Sequence, residues 1–501
     1  MKALGRNVDL LAALALACIY GAVMNGHLQS IDGLTIWRQG QSIAYNGSLH
    51  FPQPLWWGAS GTTSKFGIGL SLLYLPGLWL AWGLRGLVPV QHGQTYDFSL
   101  LYADPLYMVA GAPLQILFAA AAAYLVARLV RELGFGTGPA LAALALYGIA
   151  SPAIVYAKSD VAQPLVGLCW IAALYAAIRF RRTGRASWLW ICAAAQLYAV
   201  LTRPVEGTLL FIALVVLFVP WASPRTWSRT NVWRLAIVSA GFAAGVAITL
   251  VVDWARYGSP FVTGYESEHW TTFLPLGLAG SLISPGRGIL WSFPAVILAA
   301  IGTVVLWRMG RRRELLAIAG LCGLQLVNVS AWHDWFGGWN WGLRLFVPAL
   351  PLIAVLAGAG VGALRARTRQ WATAAALAAG LFWAVPGIVT DLLGGYGGTY
   401  AGTRASFALQ AYPPIGAWAF FHHWRALGVL DGAGVDILWL RMARSTHNLS
   451  LLVPIVLTAL AAILAARVWT ILRQARGATR AGVRDDARRD DARRDEAGVT
   501  P

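Results

Sequence analysis

Lysine is nearly missing from this chain: Lys2, Lys65 and Lys158 are the three among 39 basic residues. Charge of either sign is also scarce, at 12% of 501 residues, against about one quarter in soluble domains. With 58% of the residues hydrophobic, that shortage excludes a water-soluble globular protein, because no aqueous domain hides so much apolar surface. Cysteine occurs four times, and Cys18, Cys169, Cys192 and Cys322 all lie in apolar runs without a CxxC pair. Neither a disulfide framework nor a zinc-thiolate site is indicated, so these read as packing residues. The first apolar segment, Val8 to Met24, lacks a small-x-small cleavage site and runs into Asn25, Gly26 and His27, which reads as an uncleaved first helix. Acidic residues are outnumbered 21 to 39, leaving a formal charge of +18. The arginines sit in short loops beside apolar helices rather than on one soluble face, so they set membrane orientation and no nucleic-acid partner is implied.

What is abundant is apolar sequence in runs of about 20 residues, each long enough to cross a bilayer as a helix. Candidate spans are Val8 to Met24, Asp104 to Val130, Pro139 to Tyr156, Val161 to Ile178, Ala186 to Leu201, Val205 to Trp221, Val232 to Val252, Ile289 to Trp307, Leu315 to Val329, Gly342 to Leu364, Trp371 to Thr390 and Leu449 to Leu472. The fold class is therefore all-α, a polytopic membrane protein with about 12 spans. A thirteenth run, Phe66 to Val88, decides the topology. If it spans, the loops holding Arg128, Arg182, Arg312 and Arg367 fall outside, against the positive-inside rule; if it does not, all fall inside with both termini. We read it as a re-entrant or interfacial helix on the outer face. Residues 1–390 then form the main transmembrane module, 391–448 an outer-face loop or small cap, 449–472 the last span, and 473–501 a charged, disordered cytoplasmic tail.

Under this topology Asp32, Asp97, Asp104, Asp160, Glu206, Asp253, Glu266, Glu268, Asp334, Asp391, Asp431 and Asp436, and all eight histidines, face outward. In the first outer loop, SIDGLTIWRQGQSIAYN, the apolar spacing suits an amphipathic helix in the interface. Asp32 opens it, either as a base for an incoming hydroxyl or as the helix N-cap. The turn YAKSDVAQP places Lys158 and Asp160 at a span boundary, where they serve a phosphate or simply snorkel and cap. In LTRPVEG, Arg203 reaches headgroup depth to hold a lipid-linked phosphate, with a local pair to Glu206 as the competing reading. Lys65 and Arg287 are further phosphate candidates. The stretch WHDWFGGWNWGLRLFVPALP intersperses His333, Asp334 and Arg344 among tryptophans that include Trp339. Such indoles form an interfacial belt or stack on sugar rings. His269 and His333 with Asp32 leave a divalent metal open, on weaker grounds than an HExxH helix would give.

These pieces in this order, SIDG, KFGIGLSLLYLPG, AKSD, LTRPVEG, SPGRGILWSFP and GGWNWGLRLFVPALP, resemble the GT-C class of polytopic glycosyltransferases. That class includes protein O-mannosyltransferases and lipid A aminoarabinose transferases, and the resemblance covers most of Val8 to Leu364. It implies transfer of one sugar from a polyprenyl-phosphate donor to a lipid, glycan or protein acceptor on the outer side of the bacterial inner membrane. It further implies Asp32 as base or acceptor organiser, Asp160 as its assistant, and Arg203 as holder of the donor phosphate. His269, His333, Asp334, Trp339 and Arg344 are the expected substrate contacts. Better-known members carry an Asp-Glu pair in the first loop, whereas here Gly33 follows Asp32. Two rivals remain, a transporter or flippase for a lipid-linked saccharide and a non-catalytic homologue. No internal repeat of the transporter kind is visible.

Overall fold

The computed structural model describes residues 2–51, 59–60, 62–84, 106–219, 229–338, 340–389, 402–412, 415, 436–443 and 446–496. It is helical, with one two-stranded antiparallel hairpin, Ala59–Ser60 against Thr63–Ser64. In chain order the helices are α1 (Lys2–Ala22), α2 (Ile31–Asn46), α3 (Gly69–Gly83), α4 (Ala112–Glu132), α5 (Thr137–Ile149), α6 (Ala153–Tyr156), α7 (Gln163–Thr183), α8 (Ser187–Thr202), α9 (Pro204–Phe218), α10 (Arg229–Tyr257), α11 (Leu274–Ile283), α12 (Ile289–Ser292), α13 (Val296–Arg308), α14 (Arg312–Ala331), α15 (Leu350–Ala363), α16 (Ala366–Val389), α17 (Thr403–Phe407), α18 (Leu438–Met442) and α19 (Leu452–Glu496). Among the described residues, 7 helical segments are long and apolar enough to cross a membrane. Shorter apolar helices stand at the other predicted spans.

Proline explains two differences from the simple span pattern. The expected span Pro139 to Tyr156 breaks into α5 and α6 at Ser151 and Pro152, and Ile289 to Trp307 breaks into α12 and α13 at Phe293 and Pro294. In each case the ring removes a backbone donor from the helix ladder. α11, of ten residues, lies between the candidate spans Val232 to Val252 and Ile289 to Trp307, where no helix is predicted. α19 runs on to Glu496, through the start of the charged tail.

α4, α7 and α15 form the buried centre, while α10 and α19 lie at the edge with most of their apolar side chains outward. Backbone contact replaces side-chain packing where α13 meets α15. A Cβ on Gly302 would fall 1.8 Å from the Leu356 carbonyl oxygen and one on Gly360 2.1 Å from that of Leu298, which is the small-residue route to close helix association in lipid.

Charge separates to the two ends of the bundle. At one end Arg131 donates to Asp9 (2.7 and 2.8 Å), Arg179 and Arg182 donate to Glu132 (2.8 and 2.9 Å), and Arg181 and Arg311 flank Glu314. The loops that the sequence places on one side therefore do meet on one side. α2 and α3 pack together at the opposite end, where a Cβ on Gly69 would strike Thr202 at the end of α8 and one on Gly77 would strike Ala110. At 15 residues α3 is about 22 Å long, short of the roughly 30 Å hydrocarbon core. α2 does not lie on a lipid surface as its periodicity suggests, because every residue from Gly33 to Ser42 is buried.

Candidate active site

A cavity of about 980 Å³ opens at the α2 end of the bundle. Asp32 and Ile36 of α2, Lys65 and Phe66, the α8–α9 junction at Arg203, the end of α10, and the loops 260–270 and 332–337 surround it. The apolar wall comes from Val246, Leu250 and Val252 of α10, a helix whose other face points outward.

Ser30 rather than Asp32 is the N-cap of α2, its hydroxyl accepting from the Gly33 N–H at 2.8 Å. Asp32 sits in the first turn with its carboxylate released from capping. That carboxylate lines the cavity and pairs with Arg344, which approaches to 2.9 Å. A guanidinium at that distance fixes the rotamer of the carboxylate.

Of the residues singled out by sequence, Asp32, Lys65, Arg203, His269, His333, Asp334 and Arg344 all line this one cavity. Each cation already has a carboxylate. Arg203 Nε donates to Glu206 at 2.6 Å, so the local pair foreseen as the competing reading is present. The Lys65 ammonium pairs with Glu268 and lies 5.0 Å from the centre of the Tyr265 ring. Backbone bonds lace the histidine loops together, His333 N–H donating to the His269 carbonyl at 3.0 Å and Thr272 N–H to that of Ala331 at 3.1 Å. Trp270 and Trp332 meet edge to face at 5.2 Å on this rim. Burial raises the Asp334 carboxyl above its usual range against the opposing pull of Arg344 and His333.

Three predicted residues sit elsewhere. Asp160 is fully buried beneath the start of α2 and does not line the cavity. It accepts from the Gln29 N–H (2.8 Å), the Ser30 N–H (2.9 Å) and the Ser30 hydroxyl (2.9 Å). Burial raises its carboxyl, opposed by those hydrogen bonds. Lys158 is also buried, donating to the Ile388 carbonyl at 2.7 Å and to the Asp436 carboxylate at 2.9 Å. Arg287 lies behind the tryptophan-rich loop, where its guanidinium donates to Asn340 Oδ1 (3.0 Å) and to the carbonyls of Gly342 (3.3 Å) and Gly338 (3.2 Å). Neither cation lines the cavity, so the phosphate role expected of these two is not matched by their positions. Trp339 lies outside the described residues.

Sequence reading missed Arg256. It stands near the end of α10, 6% exposed, and lines the cavity. Its Nη1 is 3.6 Å from Asp253, while its Nε and Nη2 are buried without hydrogen-bond partners. Two unmet donors on one buried guanidinium fit an anion that presents a fork of oxygens. An arginine on the end opposite the arginine-rich loops was the available signal. Among the described residues, no three His, Cys, Asp or Glu side chains gather as a metal-ligand set. Asp32 meets an arginine where a second carboxylate would be needed, so no step is assigned to a metal.

No family model matches the chain, and no curated protein matches it in sequence. Its structure is similar to the crystal structures of ArnT from Cupriavidus metallidurans. The apo state has 18% identity, with 92% of this chain and 75% of that chain covered and a TM-score of 0.49. The undecaprenyl phosphate complex has 17% identity, the same coverage and a TM-score of 0.48. It is also similar to the archaeal oligosaccharyltransferase AglB from Archaeoglobus fulgidus in complex with an inhibitory peptide and a dolichol-phosphate, at 13% identity and a TM-score of 0.45, covering 79% of this chain and 56% of that one.

Proposed function

We propose that this protein transfers a sugar from a polyprenyl-phosphate donor to a lipid, glycan or protein acceptor at the outer face of the bacterial inner membrane. The observation that carries the reading is the shared cavity of Asp32 and Arg256, a carboxylate held for proton abstraction and a buried guanidinium with two unmet donors. The donor phosphate sits on Arg256, and its isoprenoid chain follows the apolar wall of α10 toward the bilayer.

In the reaction the acceptor hydroxyl gives its proton to Asp32 as its oxygen bonds the sugar's anomeric carbon. The bond from that carbon to the phosphate oxygen breaks, and the electron pair leaves with the lipid phosphate. Arg256 meets the charge that develops there, with Arg203 near enough to the same cavity to add to the field. Arg344 holds Asp32 in the attacking geometry.

Lipid and glycan mass spectrometry of a deletion strain tests the reading. We expect one envelope glycoconjugate to lose a sugar while a polyprenyl-phosphate sugar accumulates. The same loss with donor lipid confined to the inner leaflet would instead favour transport, and unchanged glycoconjugates would contradict the reading.

A further inference from the structure

Behind the cavity, an aspartate, a lysine and a histidine that the chemistry above does not use meet in the protein interior. Asp436 Oδ1 is 2.6 Å from His27 Nε2, and its Oδ2 accepts from Lys158 Nζ at 2.9 Å and from Gln29 Nε2 at 2.8 Å. All four side chains belong to buried residues. Backbone bonds tie the same segments together, Asp436 N–H donating to Val389 and Leu438 N–H to Met24, both at 2.8 Å. Burial would raise the Asp436 carboxyl, but the Lys158 ammonium and His27 imidazole hold it well below the usual range. Buried charge is weak evidence for stability, because well-packed apolar residues of like volume often serve as well. What charge provides here is direction.

Gln29 is the link outward. Asp436 holds its side chain, and Asp160 accepts from its backbone N–H at 2.8 Å. Asp160 also grips Ser30, whose hydroxyl caps α2 through Gly33. Asp32 follows two residues after Ser30. Two carboxylates from distant parts of the chain therefore hold Gln29 and Ser30, the residues that lead into Asp32.

We propose that Asp436, acting through Gln29, is a positioning residue for Asp32, so that the segment at 436–438 sets the reach of the base without touching substrate. The inference rests on the glycosyl-transfer reading for its kinetic consequence and on geometry alone for its structural one. A base displaced by about 1 Å loses on the order of 10²-fold in rate.

Gln29→Met tests it, because that change cuts the link and leaves Lys158, Asp436 and His27 in place; Asp436→Asn is the harsher companion. The full-length protein in detergent is measured for hydrogen exchange at residues 29–34, melting temperature, and transfer turnover against donor saturation. For Gln29→Met we expect faster exchange at 29–34, a turnover at least about tenfold lower, and an unchanged apparent donor KM and melting temperature. In an Asp32→Asn background the same substitution should cost nothing further, since the group being positioned has gone. Exchange unchanged at 29–34, or an undiminished penalty in the Asp32→Asn background, overturns the proposal. A lowered melting temperature with turnover per folded molecule intact overturns it as well, by making the cluster purely structural. If exchange rises as expected but Asp32→Asn itself transfers normally, the catalytic reading of Asp32 fails and the coupling of 436 to the first loop stands.

Discussion

The Asp160 carboxylate occupies the space that a side chain on residue 33 would need: a Cβ on Gly33 would lie 2.1 Å from Asp160 Oδ2. Absence of a second acidic residue after Asp32 thus has a packing cause. Gly33→Ala would push Asp160 off Gln29 and Ser30, and overpacking of this kind costs about 1–3 kcal/mol. We expect a lowered melting temperature in detergent together with reduced transfer. A variant that melts and transfers like the wild type would show that Asp160 does not pack against α2 as described.

Arg203 and Arg256 should respond differently to loss. Removing a charge-assisted hydrogen bond costs about 1.5–3 kcal/mol, so Arg256→Ala should raise the apparent donor KM roughly ten- to hundredfold with little effect on folding. Arg203→Ala strands Glu206, which is 3% exposed, while Arg203 itself is 26% exposed, so losing the pair costs about 1–3 kcal/mol of stability. Donor titrations and thermal melts on both variants check the assignment. A reversed pattern would return the phosphate to Arg203.

Asp334 gives a pH signature. Its carboxyl is raised by burial in the folded protein, so the fold binds that proton more tightly than the unfolded chain does. Stability from this group is complete below the ordinary carboxylate value near pH 4 and is lost as pH rises through the higher folded value. Asp334→Asn should therefore melt higher than wild type at neutral pH, with the gain vanishing near pH 4. An advantage that instead grows on acidification would refute the sign.

Orientation follows from the two charged ends. A cysteine replacing His333, on the cavity rim, should react with an impermeant maleimide in intact cells. One replacing Arg182, beside Glu132 at the other end, should react only after lysis. The opposite pattern would turn the cavity to the cytoplasm.

Much of this was legible in the chain. Apolar run length and arginine placement found the helical, membrane-crossing fold and its shared charged end, and a polar residue at each emergence found seven side chains that meet in one cavity. Other features needed tertiary contacts. Lys158 and Asp436 are 278 residues apart, and nothing local tells a lysine headed for a buried carboxylate from one at a headgroup. Arg287 likewise points inward because the turn at Gly337 and Gly338, both with positive φ, curls carbonyls around it. Arg256 closes a long apolar helix, where an arginine reads as a snorkelling terminus until the cavity beside it is seen. A cap stayed open beside the base reading of Asp32 because sequence spacing does not separate Ser30 from Asp32 at a helix start.

The central claim is that Asp32 takes the acceptor's proton in transfer from a polyprenyl-phosphate sugar. Its most direct measurement is single-turnover transfer by purified wild-type protein and Asp32→Asn in liposomes loaded with that donor, at matched folded protein. The account predicts transfer by the wild type and a rate lower by about 10²-fold or more in the variant, with donor binding retained. Equal rates in the two proteins would contradict it.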